Sequence, residues 1–334
     1  MRRQLRRVVD SAIAPLAPLA WRKRAAPRLV VLMYHRVLPA DHVDRAFEQP
    51  GMYVSPATFA LHVALLKRHF TLVHLDEWVR RALAREPLPE QACALTFDDG
   101  WRDNFDYAFP VLRQHAAPAT IFLVSSMTGT NTDFWPNRLA RMLVRLEPGV
   151  PLQGPLGPLL APLLARVARD GWSPEALDAA VVAAKQLDEA QIGRCLDAMQ
   201  AQCGGGPDSR AVLDHSEIQL MAASGLVRYG SHTRTHLRFR GEMAPQVLAA
   251  EIQGSRAEIA AAAGEAFAPV FCYPNGDITP AALAEVRRHY TAAVTTRAGW
   301  HGLADDPFLI RRVGMHEDVS SRASGFLARL ARSA

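Results

Sequence analysis

The chain has 334 residues, 49% hydrophobic and 21% charged, with a formal net charge of +5; that is length for one large α/β domain with an insertion, although length alone would allow two domains. No stretch reaches the roughly 18–20 uninterrupted apolar residues of a membrane span, which excludes an integral membrane helix. The basic residues are mostly arginine and scattered, with no aromatic-plus-basic groove, so nucleic acid is not the expected partner, and an anionic sugar nucleotide, a lipid-phosphate carrier or a membrane surface suits the charge equally.

Residues 1–27 open on Arg2-Arg3, continue through an apolar run broken by Pro15 and Pro18, and end on Arg22-Lys23-Arg24. This imitates a secretory leader, but the run is short and its flanks are wrong. It reads as an uncleaved basic arm, partly helical and touching anionic lipid, or as a disordered tail. The four cysteines, Cys93, Cys195, Cys203 and Cys272, make no Cys-x-x-Cys pair. Reduced thiols fit a cytoplasmic protein, peripheral to the inner membrane if the arm meets lipid.

Residues 29–37 are strand-like and carry His35 near their end. Helical spacing follows over 59–69 and 76–84, then a strand over 92–97 that runs into Asp98-Asp99-Gly100. A helix over 103–114 and a strand over 119–124 continue the pattern. Such βαβα alternation predicts a parallel sheet, and in barrel form all its strand ends open on one face.

From 134 to about 212 the rhythm breaks into proline-spaced leucines and alanine-rich helices, expected over 174–185 and 188–202. This is a helical insertion, packed as ordinary helices or serving as a lid or a clasp for a lipid tail. Gly204-Gly205-Gly206-Pro207 would be its exit hinge. A helix over 215–225 and a strand over 226–230 lead to Ser231-His232-Thr233-Arg234-Thr235-His236, whose two imidazoles, four apart, would share one face of a helical turn. A long helix over 243–263 is expected to turn Glu251 and Glu258 to solvent. A helix over 280–289 and strands over 291–295 and 308–315 complete the chain.

Two histidines and a carboxylate at strand ends form a facial set for one cation, with open positions left for water. The segments that carry them, Thr96-Phe97-Asp98-Asp99-Gly100 and Ser231 to His236, resemble the first two motifs of the polysaccharide deacetylases, the family built on the chitooligosaccharide deacetylase (NodB) homology domain. The resemblance covers roughly residues 28–145 and 212–320. It implies an α/β fold, a distorted (β/α) barrel of the NodB type over 28–334, with the helical insertion at about 134–212.

The resemblance also implies roles. Asp98 would be the catalytic base, and Asp99, His232 and His236 the metal ligands. The family's third motif usually reads Arg-Pro-Pro-Tyr-Gly, and its counterpart here is Cys272-Tyr273-Pro274-Asn275-Gly276. Asn275 keeps a backbone N–H for the oxyanion, but the arginine that steadies the base is missing. The last motif ends a strand with a histidine, here His316, the implied acid. Alternation along that strand gives Arg312, Gly314 and His316 one face, which makes Arg312 the candidate orienter. Tyr273 is expected to touch substrate, Trp300 to wall the acetyl methyl, and His35 to reach the substrate rim or lie buried and hydrogen-bonded.

The implied activity is metal-dependent removal of acetyl groups from N-acetylated sugars of a bacterial envelope polysaccharide or exopolysaccharide, or of a lipid-linked precursor. Zinc is the default cation, while cobalt, nickel or iron also suit an Asp-His-His set. Two alternatives stand beside it. One is an O-acetyl esterase, the other a non-catalytic carbohydrate-binding protein on the same fold, which the altered third motif would suit. Oligomeric state has no signal in the sequence.

Overall fold

The apolar runs of the sequence become strands buried on both faces, as near-continuous hydrophobic segments in parallel sheets do. In a computed structural model that describes residues 9–15, 21, 27–147, 150, 152–203 and 210–334, the strands are β1 (Arg28–Tyr34), β2 (Arg36–Val37), β3 (Tyr53–Val54), β4 (Thr71–Leu72), β5 (Gln91–Phe97), β6 (Ala119–Leu123), β7 (Val227–Ser231), β8 (Phe267–Cys272), β9 (Ala292–Val294), β10 (His301–Gly302) and β11 (Val313–Gly314). The order β1-β5-β6-β7-β8-β9 is parallel throughout, with β10 antiparallel on β1 and β11 parallel to it. β2 and β3 form a separate parallel pair.

The segment expected as one strand over 308–315 keeps only two strand residues. It spends the rest of its length changing partners. Ile310 bridges Val294 of β9, the Arg312 N–H donates to the Arg297 carbonyl, and Val313 then pairs with Leu32 of β1. This crossing links the two ends of the curled sheet and makes the architecture a distorted barrel.

Side-chain alternation sorts the core into layers. Leu29, Val31, Ala92, Ala94, Phe122, Val270, Cys272 and Val294 form one apolar cluster with Trp78 of the helix Leu75–Leu83. Their neighbours Val30, Leu32, Cys93, Leu95 and Ile121 cluster with Phe59, Val63 and Leu66 of the helix Pro56–His69. On the far side, Phe271 and Tyr273 pack with Ile252, Val286 and Tyr290.

Helices Trp135–Arg145, Leu156–Asp170, Pro174–Ala184 and Glu189–Cys203 occupy the predicted insertion. They have their own core of Leu139, Leu156, Leu160, Ala180, Ile192 and Leu196. A hollow of 560 Å³ lined by Leu143, Leu164 and Trp172 lies among them. Charged contacts fasten these helices to the loop after β1. Arg36, 2% exposed, reaches Asp103, Glu48 and Asp44 at 2.7–2.8 Å, while Arg141 holds Asp44 and Asn137 holds Glu48.

Part of the basic arm belongs to the packed structure: residues 9–13 are helical, and Trp21 is buried between Phe70 and Trp300. The remainder of the arm and the Gly204–Pro207 hinge lie outside the described residues. Among the described residues no helix is long and apolar enough to cross a membrane. Cys93, Cys195 and Cys272 are buried free thiols.

Candidate active site

Asp98 and Asp99 leave β5 in a turn that local sterics dictate. Asp99 adopts φ 75° and Gly100 φ 73°. A Cβ at Gly100 would stand 2.7 Å from Leu123 Cδ2, a side-chain end that can shift, so it is the backbone angle that calls for glycine. Asp98 points inward, 2% exposed, and meets Arg312. The Arg312 guanidinium donates from both terminal nitrogens to the two carboxylate oxygens at 2.6 and 2.7 Å. Its Nε donates to the Thr295 carbonyl at 2.9 Å, and further contacts reach Thr96 Oγ1 and Cys272 Sγ. Such a fork fixes direction as well as charge. Burial by itself would lift the Asp98 carboxyl, but the Arg312 charge and its hydrogen bonds hold it below its ordinary value.

Arg312 therefore stands on Asp98 although it comes from the last crossing segment and not from the third motif. The third-motif arginine position is Cys272, whose thiol burial pushes up and keeps protonated.

His232 and His236 do meet, but not on a helical turn. The chain after Ser231 is irregular, with Thr233 at φ 64° and His236 at φ 63°. The cause is Glu251. Its carboxylate is buried, not turned to solvent as its helical position suggests, and accepts from the Arg234 and Thr235 amides at 2.9 Å and from Thr235 Oγ1 at 2.7 Å. Those amides would otherwise seek helical partners, so the acid selects the loop. Glu251 lies in a wide turn, Ala250–Gly254, that interrupts the helix running from Pro245 to Ala263. Glu258 behaves as expected of an exposed acid, pairing with Arg234 and Ser125.

His232 donates from Nδ1 to the Cys272 carbonyl at 2.8 Å, which leaves Nε2 free to face Asp99 Oδ1 at 3.4 Å. His236 Nε2 is 3.5 Å from the same oxygen. The other Asp99 oxygen accepts from Trp101 Nε1 at 2.9 Å. The three ligand atoms lie within 4.8 Å of one another. Burial pushes the His236 imidazole down to about 4, leaving it neutral with a lone pair to give. Burial would raise Asp99, yet its contacts with the two facing imidazoles, His232 ahead of His236, hold it well below the carboxylate range. One carboxylate and two imidazoles with an open side fit a catalytic divalent cation. Asp98, His232 and Cys272 also lie close together, but the first is taken by Arg312 and the thiol is protonated, so Asp99, His232 and His236 are the set that fits. Replacing His232 or His236 by Ala is expected to take bound zinc well below one equivalent by elemental analysis. Full occupancy in either variant would contradict this set.

Six non-glycine residues among those described have positive φ, and four of them, Asp99, Thr233, His236 and Asn275, stand at this site. Each carries a backbone cost of about 1–3 kcal/mol that the surroundings must impose. Glu251→Ala removes one such constraint, and a loss of zinc affinity of roughly 10–100-fold is expected by competitive titration, as for other partners that orient ligands. Unchanged affinity would return Glu251 to a purely structural part.

The site opens into a cleft of 240 Å³. His35, Asn275 and Thr296 line it from strand ends, and Phe134, Trp135, Pro136, Asn137 and Lys185 from the helices between β6 and β7 and their approach. Gly276, at φ 75°, passes Thr296 so closely that a Cβ would meet its Oγ1 at 2.1 Å. His35 Nε2 is 3.8 Å from Asp98 Oδ2. The apolar wall is aromatic: Trp101 packs on Phe134, and Phe134 meets the His236 ring edge-on. Sequence reasoning missed this wall, although Trp101 directly follows the first motif and Phe134-Trp135-Pro136-Asn137 opens the insertion.

Three expected site residues do not line the cleft. Trp300 is 4% exposed in the core beside Trp21, because its loop leads into β10, which pairs with the start of β1 at the opposite end of the strands. Tyr273 is fully buried among Phe271 and its neighbours, since alternation after Cys272 sends it outward. His316, expected on the strand face of Arg312, lies beyond the two-residue β11 and does not line the cleft. It precedes the short helix Glu317–Ser320 and its Nδ1 pairs with Asp318.

The family model described as polysaccharide deacetylase matches residues 85–173 and 188–294. A curated Bacillus subtilis (strain 168) protein, YxkH, described as a putative polysaccharide deacetylase, is 30% identical over 112 residues, which is 33% of this chain. The match spans 37% of that relative's length. Among solved structures, the Streptococcus pyogenes deacetylase PplD in complex with acetate is similar, with a TM-score of 0.60 and 16% identity over 92% of this chain and 99% of that one. IcaB from Ammonifex degensii is similar with a TM-score of 0.57 and 20% identity, over 91% of this chain and 98% of that one. At such identities these two structures speak for the fold.

Proposed function

Since this chain belongs to the polysaccharide deacetylase family, we propose that it is a metal-dependent hydrolase that removes acetyl groups from N-acetylated sugars of a bacterial envelope polysaccharide or its precursor. The observation that carries this reading is the meeting of Asp99, His232 and His236 within 4.8 Å, beside an Asp98 gripped by Arg312.

A divalent cation bound by Asp99, His232 and His236 would supply Lewis acidity toward the acetyl carbonyl and toward water. Asp98 takes the proton of the attacking water, and Arg312 keeps that carboxylate ionised and aimed. The Asn275 backbone N–H is the proposed donor to the developing oxyanion, a contribution of roughly 3–4 kcal/mol for a well-aimed donor. Trp101 and Phe134 hold the methyl group. Proton delivery to the departing amine falls to His35, which lines the cleft 3.8 Å from Asp98. His316, committed to Asp318 and outside the cleft lining, is the weaker candidate. Water adds its oxygen to the acetyl carbon and its proton to nitrogen, and the products are acetate and a free amino sugar.

The missing third-motif arginine was the ground for a non-catalytic carbohydrate-binding protein, and with Arg312 on Asp98 that ground is gone. The test is acetate release by the zinc-loaded protein from a panel of N-acetylated and O-acetylated oligosaccharides. Release from the N-acetylated members, lost in Asp98→Asn, is expected. Release from esters alone would make the protein an O-acetyl esterase, and no release from any member would overturn the reading.

A further inference from the structure

Lys185 ends the inserted helix Pro174–Ala184 and lines the cleft with Asp98, Asp99 and both histidines. All but three of the 38 basic residues in the chain are arginine, so a lysine here is unusual for this sequence. It falls in the interval 174–187 between the two spans matched by the family model. Its Nζ donates to Asn275 Oδ1 at 3.4 Å, a long contact to a neutral acceptor.

The carboxylates whose charge reaches it, Asp178 and Asp277, have other partners: Asp178 accepts from Gln49 Nε2 at 2.6 Å, and Asp277 lies 3.5 Å from Arg240 Nε. Arg238 and Arg240 are spent too, since both donate to the Lys185 carbonyl, at 3.1 and 2.8 Å, and so brace its backbone. The ammonium is half-buried, and burial lowers its pKa from the ordinary value. An ammonium has three donors, and one weak neutral acceptor leaves the others directed at whatever enters the cleft.

We propose that Lys185 reads the substrate's charge, binding an anionic group, carboxylate or phosphate, that the glycan carries next to the acetylated sugar. Placement beside Asn275 sets the distance: the anion sits one sugar or less from the reacting acetamide. A hydrogen bond to such a group is charge-assisted on both sides, which is where an ammonium outdoes an amide. The inference rests on the deacetylase reading for the identity of the cleft, and the experiment separates the two.

Equilibrium binding of three probes would be compared in the wild type and in Lys185→Gln: a hyaluronan tetrasaccharide for carboxylate, UDP-N-acetylglucosamine for phosphate, and chitotetraose as the neutral control. One anionic probe is expected to bind at least about tenfold more tightly than chitotetraose in the wild type, and Lys185→Gln to abolish that preference while leaving chitotetraose unchanged. With that probe as substrate, KM should rise by a similar factor at constant kcat. The arm that responds tells carboxylate from phosphate. Equal affinities in the wild type, or a preference that survives in Lys185→Gln, overturns the proposal. Acetate release without charge preference sinks this subsite alone, and charge preference without acetate release sinks the deacetylase reading alone.

Discussion

Arg312→Met is expected to cost about 3–5 kcal/mol of stability in urea denaturation, because it strands the Asp98 carboxylate in a buried site with no counter-charge. The guanidinium is 1% exposed and its fork meets both Asp98 oxygens, so water does not replace it. The cause can be checked by pairing the change with Asp98→Asn. If the penalty comes from the orphaned charge, the double variant regains much of the stability lost by either single one. Activity has its own signature. With the arginine gone, burial is opposed only by the weaker pull of His35 and His232 and lifts the Asp98 pKa, so the acid limb of the pH–rate profile moves to higher pH while bound zinc stays at one equivalent. An unshifted limb together with unchanged stability would remove Arg312 from the site.

Asp98→Asn should lower kcat for acetate release by roughly 10²–10⁴-fold, the range for loss of a positioned general base. The amide keeps the shape of the carboxylate but accepts no proton, and leaves the Arg312 charge unneutralised. Zinc content is expected to hold, because Asp99, His232 and His236 are the proposed ligands and Asp98 is not among them. Loss of zinc with loss of rate would mean that Asp98 serves the metal. Retained rate would assign the base elsewhere.

The two changes act on one contact, which spans 214 positions of chain. Its recognition from sequence had a narrow basis: strand alternation gave Arg312 the right face, and the altered third motif called for a substitute. The same alternation does not extend to His316, because the strand ends at Gly314 and His316 pairs with Asp318 at the start of a short helix. It failed at Trp300, because an aromatic in a glycine-flanked loop does not reveal which end of the barrel its loop approaches.

Local order along the chain was readable because it depends on near neighbours. Apolar runs over β1, β5, β6, β7 and β8 marked the buried parallel strands, and adjacent polar residues at their ends marked the catalytic face. Asp98-Asp99 and the two histidines are short segments, so each half of the centre is intact in the sequence.

Other features became visible only when distant segments met. Glu251 decides the histidine loop, yet helical periodicity assigns it to solvent, since a side chain's burial depends on what packs against it. Phe134 and Lys185 become cleft walls beside Trp101 because the helices between β6 and β7 fold back over the strand ends. Propensity and alternation are properties of a few successive residues, and they determined the strands, the helices and the ligand types. Which face meets which partner follows from packing the whole chain, where burial and charge pairing across hundreds of positions outweigh local preference, and there the tertiary structure decided.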